Sequence, residues 1–382
     1  MHYRKFGKLD WKVSALGYGI MRMPLIDNES GTIDEQESIK MIRRGIDNGI
    51  NYIDTAYNYH KGKSESLVAK ALKDGYREKV KIATKLPSWF ISEKSDLDKF
   101  FYEQLDRLES DSIDFYLLHD LNEKNWKKLL EFDIFSWLEE KKKKGAIQYI
   151  GFSFHDELPL FKEIIDSYDK WDFCQIQYNF MDKEYQAGEE GLKYAADKGL
   201  GIIVMEPLKG GQLAFKFPES VKKIWDKSAA FAGPVERAFA WLWVQENISV
   251  VLSGMTAMEH VIDNTEIADR WDVNTLKESD RKLYDEAAAA YRALSPVPCT
   301  TCGYCMPCPF GVGIPQNFDL YNDAVMYGSY DQCREIYREW FTPESHAEKC
   351  TECGVCVPKC PQKINIPEEL KKVELKLSEK IK

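Results

Sequence analysis

The runs Asn51-Tyr-Ile-Asp-Thr-Ala56 and Val80-Lys-Ile-Ala-Thr-Lys-Leu86 are short and rich in β-branched and apolar side chains. This composition predicts two β-strands. Between them, Ser64–Asp74 has the spacing of an amphipathic helix. A strand, a helix and a second strand in this order are typical of a parallel sheet, because parallel strands need a long crossover connection.

The same alternation extends through the first two-thirds of the chain. The predicted strands are Val13–Gly19, Asn51–Ala56, Val80–Leu86, Ile113–His119, Ile147–Phe154, Phe173–Asn179, Gly201–Glu206 and Ser249–Gly254. The predicted helices between and after them are Glu35–Asn48, Ser64–Asp74, Ser95–Leu108, Ile134–Lys144, Leu158–Tyr168, Glu184–Lys198, Val235–Gln245 and Met258–Arg270. Eight such repeats indicate an α/β fold, the (β/α)8 TIM barrel. The alternative is an open doubly wound sheet, which the absence of Gly-x-Gly-x-x-Gly after the first strand disfavours.

The composition changes sharply after a further predicted helix, Leu276–Leu294. Cysteine, proline and glycine dominate Pro296–Pro315, and a second group of cysteines occupies Cys350–Cys360. Between these groups, Phe318–Phe341 is aromatic and mostly helical in pattern. We therefore predict two domains, a barrel over residues 1–275 and a linker helix with a smaller domain over residues 276–382.

Charge and hydropathy exclude several classes of protein. The formal net charge of -10 argues against binding nucleic acid through its phosphates. No apolar run is long enough for a bilayer span, and the N-terminus lacks the apolar core of a secretory signal. Eight of the ten cysteines lie at regular short spacings near the C-terminus. In a reducing compartment such spacing indicates metal ligation, so we expect a cytoplasmic protein with no membrane partner.

Four polar residues fall at or just beyond the ends of predicted barrel strands, where the catalytic groups of such barrels collect. Asp54 ends the second strand and Tyr59 follows it, while Lys85 and His119 end the third and fourth. Each taken alone could be a satisfied polar group at the barrel rim. Four complementary groups in successive repeats favour an active site.

These residues carry a resemblance to the aldo-keto reductase family, over about residues 3–270. The opening Tyr3-Arg-Lys-Phe-Gly-Lys and Val13-Ser-Ala-Leu-Gly-Tyr-Gly also resemble that family. The resemblance implies an Asp54, Tyr59, Lys85, His119 catalytic tetrad, in which Tyr59 protonates the oxygen of an aldehyde or ketone. A phenol with an ordinary pKa of about 10 needs help to act near neutrality, and Lys85, held by Asp54, can supply it. His119 can orient the substrate carbonyl.

The resemblance also implies a cofactor site. Its expected members are Ser153, Gln175, Ser253, Gly254, Thr256, Asp263 and Asn264. Ser153 and Gln175 would hold a nicotinamide carboxamide, and Asp263 and Asn264 an adenine. Thr256, Met205 and Phe154 depart from the family's usual side chains, and Thr256 replaces the cation that meets the 2′-phosphate of NADP. NAD(P)H is the favoured cofactor, with NAD ahead of NADP. The alternative is FMN, whose phosphate could bind at Ser253-Gly254 and the following helix start.

The cysteines form two similar groups. They read Cys299-Thr-Thr-Cys302-Gly-Tyr-Cys305-Met-Pro-Cys308-Pro309 and Cys350-Thr-Glu-Cys353-Gly-Val-Cys356-Val-Pro-Lys-Cys360-Pro361. Three cysteines at successive two-residue gaps, with a fourth followed by proline, are typical of iron–sulfur ligation. The alternative is zinc, but a four-cysteine zinc site typically uses two separate Cys-x2-Cys pairs.

This pattern resembles that of bacterial two-cluster ferredoxins, in an α-helical variant. The resemblance implies two [4Fe–4S] clusters with crossed ligation. Cys299, Cys302 and Cys305 would share one cluster with Cys360, and Cys350, Cys353 and Cys356 the other with Cys308. Cys308 departs from the usual spacing by one residue. Cys174 and Cys333 are interpreted as packed thiols.

The favoured function is an oxidoreductase that reduces a carbonyl, or oxidises an alcohol, in the barrel. Its clusters would pass electrons to or from an external carrier of the ferredoxin or flavodoxin type. A second hypothesis assigns the clusters a structural or sensing role beside ordinary NAD(P)H-dependent carbonyl reduction. A third is a non-enzymatic redox subunit that keeps the barrel as a scaffold, which the intact tetrad disfavours.

Overall fold

A computed structural model describes residues 1–27 and 31–380. Its described residues divide into two compact units. The first unit contains Met1–Lys209 and Glu236–Lys277, and the second contains Gly210–Val235 and Glu278–Lys382. The second unit thus includes a segment, 210–235, that lies within the predicted barrel range. The proposed domain limits, 1–275 and 276–382, stay a prediction.

The strands are numbered along the chain. They are β1 (Tyr3–Phe6), β2 (Leu9–Ser14), β3 (Leu16–Gly19), β4 (Leu25–Asp27), β5 (Thr32–Ile33), β6 (Tyr52–Asp54), β7 (Lys81–Leu86), β8 (Ile113–Leu121), β9 (Ile147–Phe154), β10 (Phe173–Gln177), β11 (Gly201–Met205) and β12 (Val250–Gly254). Eight of these strands, β3 and β6–β12, close into a parallel barrel in chain order. This confirms the predicted (β/α)8 fold.

The helices are numbered in the same way. They are α1 (Glu35–Asp47), α2 (Ser64–Ala71), α3 (Lys94–Leu108), α4 (Glu123–Glu131), α5 (Ile134–Lys143), α6 (Leu158–Asp166), α7 (Gly188–Asp197), α8 (Glu219–Trp225), α9 (Pro234–Trp243), α10 (Met258–Arg270), α11 (Glu278–Arg292), α12 (Ile314–Tyr327), α13 (Tyr330–Trp340) and α14 (Ile366–Leu377). In the part of the chain that the structure describes, no helix is both long and apolar enough to cross a bilayer.

The floor of the barrel is closed by the β1–β2 hairpin, which the sequence analysis did not separate from the first strand. Phe6 is fully buried and packs on Phe115 and Phe173 inside the barrel, with ring centroids 5.0 and 6.0 Å away. Gly7, at φ +52°, lets the hairpin approach β11 so closely that a Cβ there would lie 2.3 Å from the Gly201 nitrogen. Because the floor is blocked, ligands can reach only the opposite mouth, where the strands end.

The second unit contains a repeat of sequence and conformation. We call Cys299–Leu377 the cysteine module. Both cysteine groups carry a left-handed residue before the second cysteine, Thr301 or Glu352, and a left-handed glycine after it. Each fourth cysteine then leads through Pro to an Ile-Pro pair that begins a helix, α12 or α14. The two helices pack on a shared core that includes Ile314, Phe318, Ile366 and Leu370. The module is therefore built from two equivalent loop–helix halves.

Candidate functional site

The barrel mouth brings the predicted tetrad together. Strands β6, β7 and β8 are consecutive parallel neighbours, so their carboxyl ends meet at one edge. Asp54 is the last residue of β6, Lys85 lies near the end of β7, and His119 near the end of β8. Tyr59 begins a short 3₁₀ segment, Tyr59–Gly62, beyond β6.

Lys85 and Asp54 form an ion pair inside the barrel. The Lys85 Nζ donates hydrogen bonds to Asp54 Oδ1 at 2.6 Å and to the Thr55 carbonyl at 2.7 Å, and the lysine is fully buried. Burial by itself lowers the pKa of Lys85, but the neighbouring charge of Asp54 and the Tyr59 phenol outweigh it, and the pKa is raised. Lys85 is therefore a permanent cation under the active site.

Tyr59 lies beside this cation, with the Lys85 Nζ 5.0 Å from the ring centroid. Burial raises the pKa of Tyr59 above its usual value, and Lys85 offsets part of that rise. The phenol is therefore protonated at neutral pH, which a proton donor requires. When a substrate oxygen gains negative charge, Lys85 favours loss of the proton because it stabilises the phenolate.

His119 completes the group as a neutral imidazole. Burial lowers its pKa well below the usual range, and the positive charge of Lys85 adds to the effect. The ring lies 6.0 Å from the Tyr59 ring and 5.0 Å from that of Trp89. Its Nδ1 is buried and has no hydrogen-bond partner among the described residues. A neutral donor beside the phenol suits a substrate carbonyl.

A network of buried hydrogen bonds, which the sequence analysis missed, connects α2 and α3 to β7. Glu65 is fully buried; its Oε1 accepts hydrogen bonds from Thr84 Oγ1 at 2.6 Å and Gln104 Nε2 at 2.8 Å. Gln104 also donates to the Lys85 carbonyl at 3.0 Å. The network fixes the backbone that presents Lys85. A buried glutamate in an amphipathic helix has no distinctive sequence spacing, so only its position in α2 could have suggested it.

Two expected nicotinamide ligands lie on adjacent strands, with Ser153 of β9 paired to Gln175 of β10. Ser153 Oγ accepts a hydrogen bond from the Asp120 N–H at 2.9 Å. Gln175 Nε2 contacts Met205 Sδ at 3.6 Å, and its Oε1 is buried without a partner among the described residues. That orphaned acceptor fits the N–H of a carboxamide. Phe154 instead packs on Phe161 of α6, so its departure from the family pattern lies outside the barrel lining.

The expected adenine and phosphate ligands gather around the end of β12 and the start of α10. Asn264 Nδ2 donates to Ser253 Oγ at 3.2 Å, and the Thr256 N–H donates to His260 Nδ1 at 3.3 Å. Gly254 ends β12, and Asp263 is exposed on α10. The structure thus joins Ser253 and Asn264 directly and leaves Thr256 and Asp263 at the surface.

Arg22 is a residue that the sequence analysis overlooked. It follows β3, and a Cβ on Gly254 would lie 3.3 Å from Arg22 Cβ. An exposed cation therefore lies beside the end of β12, two residues before the uncharged Thr256. Its place three residues beyond a barrel strand was the signal available in the sequence.

The cysteine module provides a second candidate site, in two parts. A small pocket is lined by Cys299, Cys302, Cys305 and Cys360, with Ile314 and Phe318 among its apolar walls. Within residues 1–27 and 31–380, no three ligands converge as they would on a single metal ion. The same pocket is lined by three cysteines of the first group and by Cys360 of the second, which is the set expected for one cubane.

Electrostatic coupling among the thiols follows the crossed pattern. Burial raises the pKa of Cys299, and Cys302 and Cys360 raise it further. Burial likewise raises the pKa of Cys356, with added contributions from Cys350, Cys353 and Cys308. Cys305 lies within range of thiols of both groups, Cys299 and Cys356. Cys360 thus acts on the first group and Cys308 on the second, which agrees with the crossed assignment, and that assignment stays a prediction.

The two remaining cysteines are buried thiols away from these groups. Cys174 lies within β10, where burial raises its pKa. Cys333 lies in α13 and is fully buried.

Comparison with known proteins matches two separate parts of the chain to two families. Residues 15–281 match the family described as "Aldo/keto reductase family", and residues 298–366 match the 4Fe-4S dicluster domain. The NADH-specific methylglyoxal reductase of Escherichia coli is 26% identical over 331 residues, which cover 74% of this chain and 97% of that protein. The uncharacterized oxidoreductase YqkF of Bacillus subtilis is 24% identical over 301 residues, 70% of this chain and 91% of its own.

Solved structures agree on the fold. The thermostable aldo-keto reductase Tm1743, in complex with the inhibitor epalrestat, has a TM-score of 0.62 and 26% identity, covering 75% of this chain and 100% of its own. The holo form of aldo-keto reductase AKR11C1 from Bacillus halodurans has a TM-score of 0.63 and 24% identity, covering 76% and 97% of the two chains.

Proposed function

The chain belongs to the aldo/keto reductase family and is an oxidoreductase with a 4Fe-4S dicluster domain, and on that premise we propose that its barrel reduces a small aldehyde or ketone. The observation that carries this proposal is the buried Lys85–Asp54 pair beside a protonated Tyr59 and a neutral His119. These four groups can hold a carbonyl oxygen and deliver a proton to it.

Each residue has a distinct part in the proposed reaction. His119 donates a hydrogen bond to the carbonyl oxygen and orients it. Tyr59 gives that oxygen its phenolic proton, and Lys85, fixed by Asp54, stabilises the phenolate left behind. A nicotinamide dinucleotide, when bound, supplies the hydride to the carbonyl carbon. In the reverse direction the same groups accept the proton of an alcohol.

The residues around the mouth support a dinucleotide. Gln175 and Ser153 would hold the carboxamide, and Ser253, Gly254, Thr256, Asp263 and Asn264 the adenosine half, with Arg22 beside its phosphates. The uncharged Thr256 favours NAD over NADP. FMN is the competing ligand, because the N-cap residue of α10, Ala257, provides no side-chain cap and the first N–H groups of the helix could receive either phosphate.

We further propose that the cysteine module holds two [4Fe–4S] clusters. Cys299, Cys302, Cys305 and Cys360 would bind one, and Cys350, Cys353, Cys356 and Cys308 the other. Each cluster exchanges one electron at a time, and an external ferredoxin- or flavodoxin-type carrier would receive or supply these electrons. Such ligation needs reduced thiols, which favours a reducing compartment such as the cytoplasm.

One experiment tests both halves of the proposal. Protein purified without oxygen should be brown and should reduce methylglyoxal with NADH. After denaturation, mass spectrometry of the supernatant identifies any flavin. FMN near one per chain would exclude a nicotinamide-only site, and a colourless zinc protein would exclude the clusters.

A further inference from the structure

A second histidine, His155, lies at the barrel mouth directly after β9. Side chains alternate along a strand, and the aromatic contacts fix which side is which. Phe152 and Phe154 both pack outward on Phe161 of α6, with ring centroids 5.8 and 5.0 Å away. Ser153 and His155 therefore share the opposite side, which faces the barrel axis.

Backbone hydrogen bonds hold His155 at the same edge as His119. Strand β9 is the parallel neighbour of β8, with Leu121 opposite Phe154. The His155 N–H donates to the Leu121 carbonyl at 3.0 Å, so the ladder continues one residue beyond the end of β9. The Asp120 N–H in turn donates to Ser153 Oγ at 2.9 Å. The loop start is thus fixed to the strand that carries His119.

The positive charge of Lys85 acts on both histidines at this edge of the barrel. Burial and, to a smaller extent, the positive charge of Lys85 lower the pKa of His155 to about 4. Burial lowers the pKa of His119 as well, and repulsion from Lys85 and from a protonated His155 adds to that shift. The mouth therefore contains two imidazoles that are both neutral near pH 7. A neutral ring can donate one hydrogen bond to an uncharged oxygen.

The tetrad has no need of this second imidazole, because Tyr59 and His119 already provide two donors for the reacting oxygen. We propose that His155 determines specificity by donating a hydrogen bond to a second substrate oxygen, adjacent to the reacting carbonyl. The preferred substrates would then be 1,2-dicarbonyls and α-hydroxycarbonyls. This inference rests on the proposed carbonyl reduction.

The test compares 2,3-butanedione with 2-butanone, which differ by a single oxygen. In the wild-type protein, kcat/KM should favour the dione. His155→Phe keeps a ring and removes the donor, so kcat/KM for the dione should fall about fivefold to tenfold, mainly through KM. The value for butanone should stay within about twofold. His155→Gln restores a hydrogen-bond donor, so it should recover part of the preference for the dione. His2→Phe, at the barrel floor, should leave kcat/KM for both ketones unchanged.

Equal losses for both ketones in His155→Phe would overturn the inference and leave the proposed reduction standing. If the wild-type protein reduced neither ketone, the proposed reduction would fail. The role of His155 would then be tested by ligand binding, which does not require turnover. With ¹⁵N-labelled histidine, saturating acetoin should shift the imidazole signal that is missing in His155→Phe, whereas 2-butanol should leave it in place. No shift with acetoin would overturn the inference independently of turnover.

Discussion

Lys85 and Asp54 are hydrogen-bonded to each other inside the barrel, whereas Cys302 and Cys353 in the cysteine module are exposed thiols. The barrel site is assembled by the fold, because an eight-stranded core and a closed floor determine where each strand ends. The cysteine module builds its core on helices α12 and α14, whereas its cysteine groups lie in the irregular segments that precede those helices. The thiols of the module must lose protons before they bind metal. The free energy of metal binding would then add to the stability of the folded module. Catalysis and metal binding should therefore respond to different substitutions.

The largest expected effect comes from the proton donor. Tyr59→Phe keeps the ring and removes the hydroxyl, so turnover of methylglyoxal should fall roughly 100-fold or more. The iron content of the protein should not change. Steady-state kinetics and iron analysis on the same preparation measure both.

Tyr57→Phe is the matched control. Tyr57 lies two residues earlier and donates its hydroxyl hydrogen bond to Glu103 at 2.7 Å, away from Lys85. Its loss should leave turnover near the wild-type value. If the two variants behaved alike, the active site would lie elsewhere and the scaffold interpretation would return.

Much of the barrel could be predicted from sequence, because strand and helix periods repeat and the tetrad occupies strand ends. Ile147–Phe154 and Met258–Arg270 match their predicted bounds. The β1–β2 hairpin was missed because its alternation runs directly into the first barrel strand. The helix Glu123–Glu131 was also missed, since it adds a second helix to a single repeat.

The departures around the site were harder to interpret. The resemblance placed Phe154 among the departures in the cofactor pocket. The structure shows that this side chain lies on the outer side of β9 and packs on Phe161. Arg22 and His155 carry no motif, and their significance depends on which strand ends are neighbours in space. The crossed grouping of Cys360 with Cys299 came from a resemblance, and spacing alone favours the nearer cysteines.

The second prediction concerns acid stability of the barrel. The unfolded chain protonates histidine below a pKa of about 6.5, whereas His155 in the folded protein stays neutral down to about 4. Its contribution is thus complete above pH 6.5 and lost as the pH falls toward 4. At pH 5 the free energy of unfolding should be about 2 kcal/mol lower than at pH 7 through this residue alone.

Urea unfolding of the wild-type protein and of His155→Phe at the two pH values isolates the contribution of His155 to the free energy of unfolding. The variant lacks the titrating group, so its decrease between pH 7 and pH 5 should be smaller by that amount. The contribution of the cysteine module cancels in the difference, as does the part of the His119 contribution that does not depend on His155. Identical pH dependence in both proteins would show that His155 is protonated as readily in the folded as in the unfolded chain.

A smaller effect is expected at the phosphate end of the cofactor site. Arg22→Ala removes the cation beside Gly254, so the dissociation constant for NADH should rise about tenfold, and less at high salt. Lys40→Ala, on the exposed surface of α1, is the control with the same charge change. Fluorescence titration measures both. An unchanged constant for Arg22→Ala would place the phosphates elsewhere.

The smallest expected change is a factor of two in iron, and it tests the module's crossed ligation. Cys360→Ser and Cys308→Ser should each lose one cluster, leaving about four irons of eight per chain. Double variants distinguish which cluster is lost. In the crossed arrangement Cys299→Ser combined with Cys360→Ser affects a single cluster, so iron stays at about four, whereas Cys350→Ser with Cys360→Ser removes both clusters. If the nearer cysteines were partners instead, the two double variants would exchange results.

Turnover of methylglyoxal with NADH serves as the control, because the tetrad is assembled by the barrel fold and should remain active when the module loses a cluster.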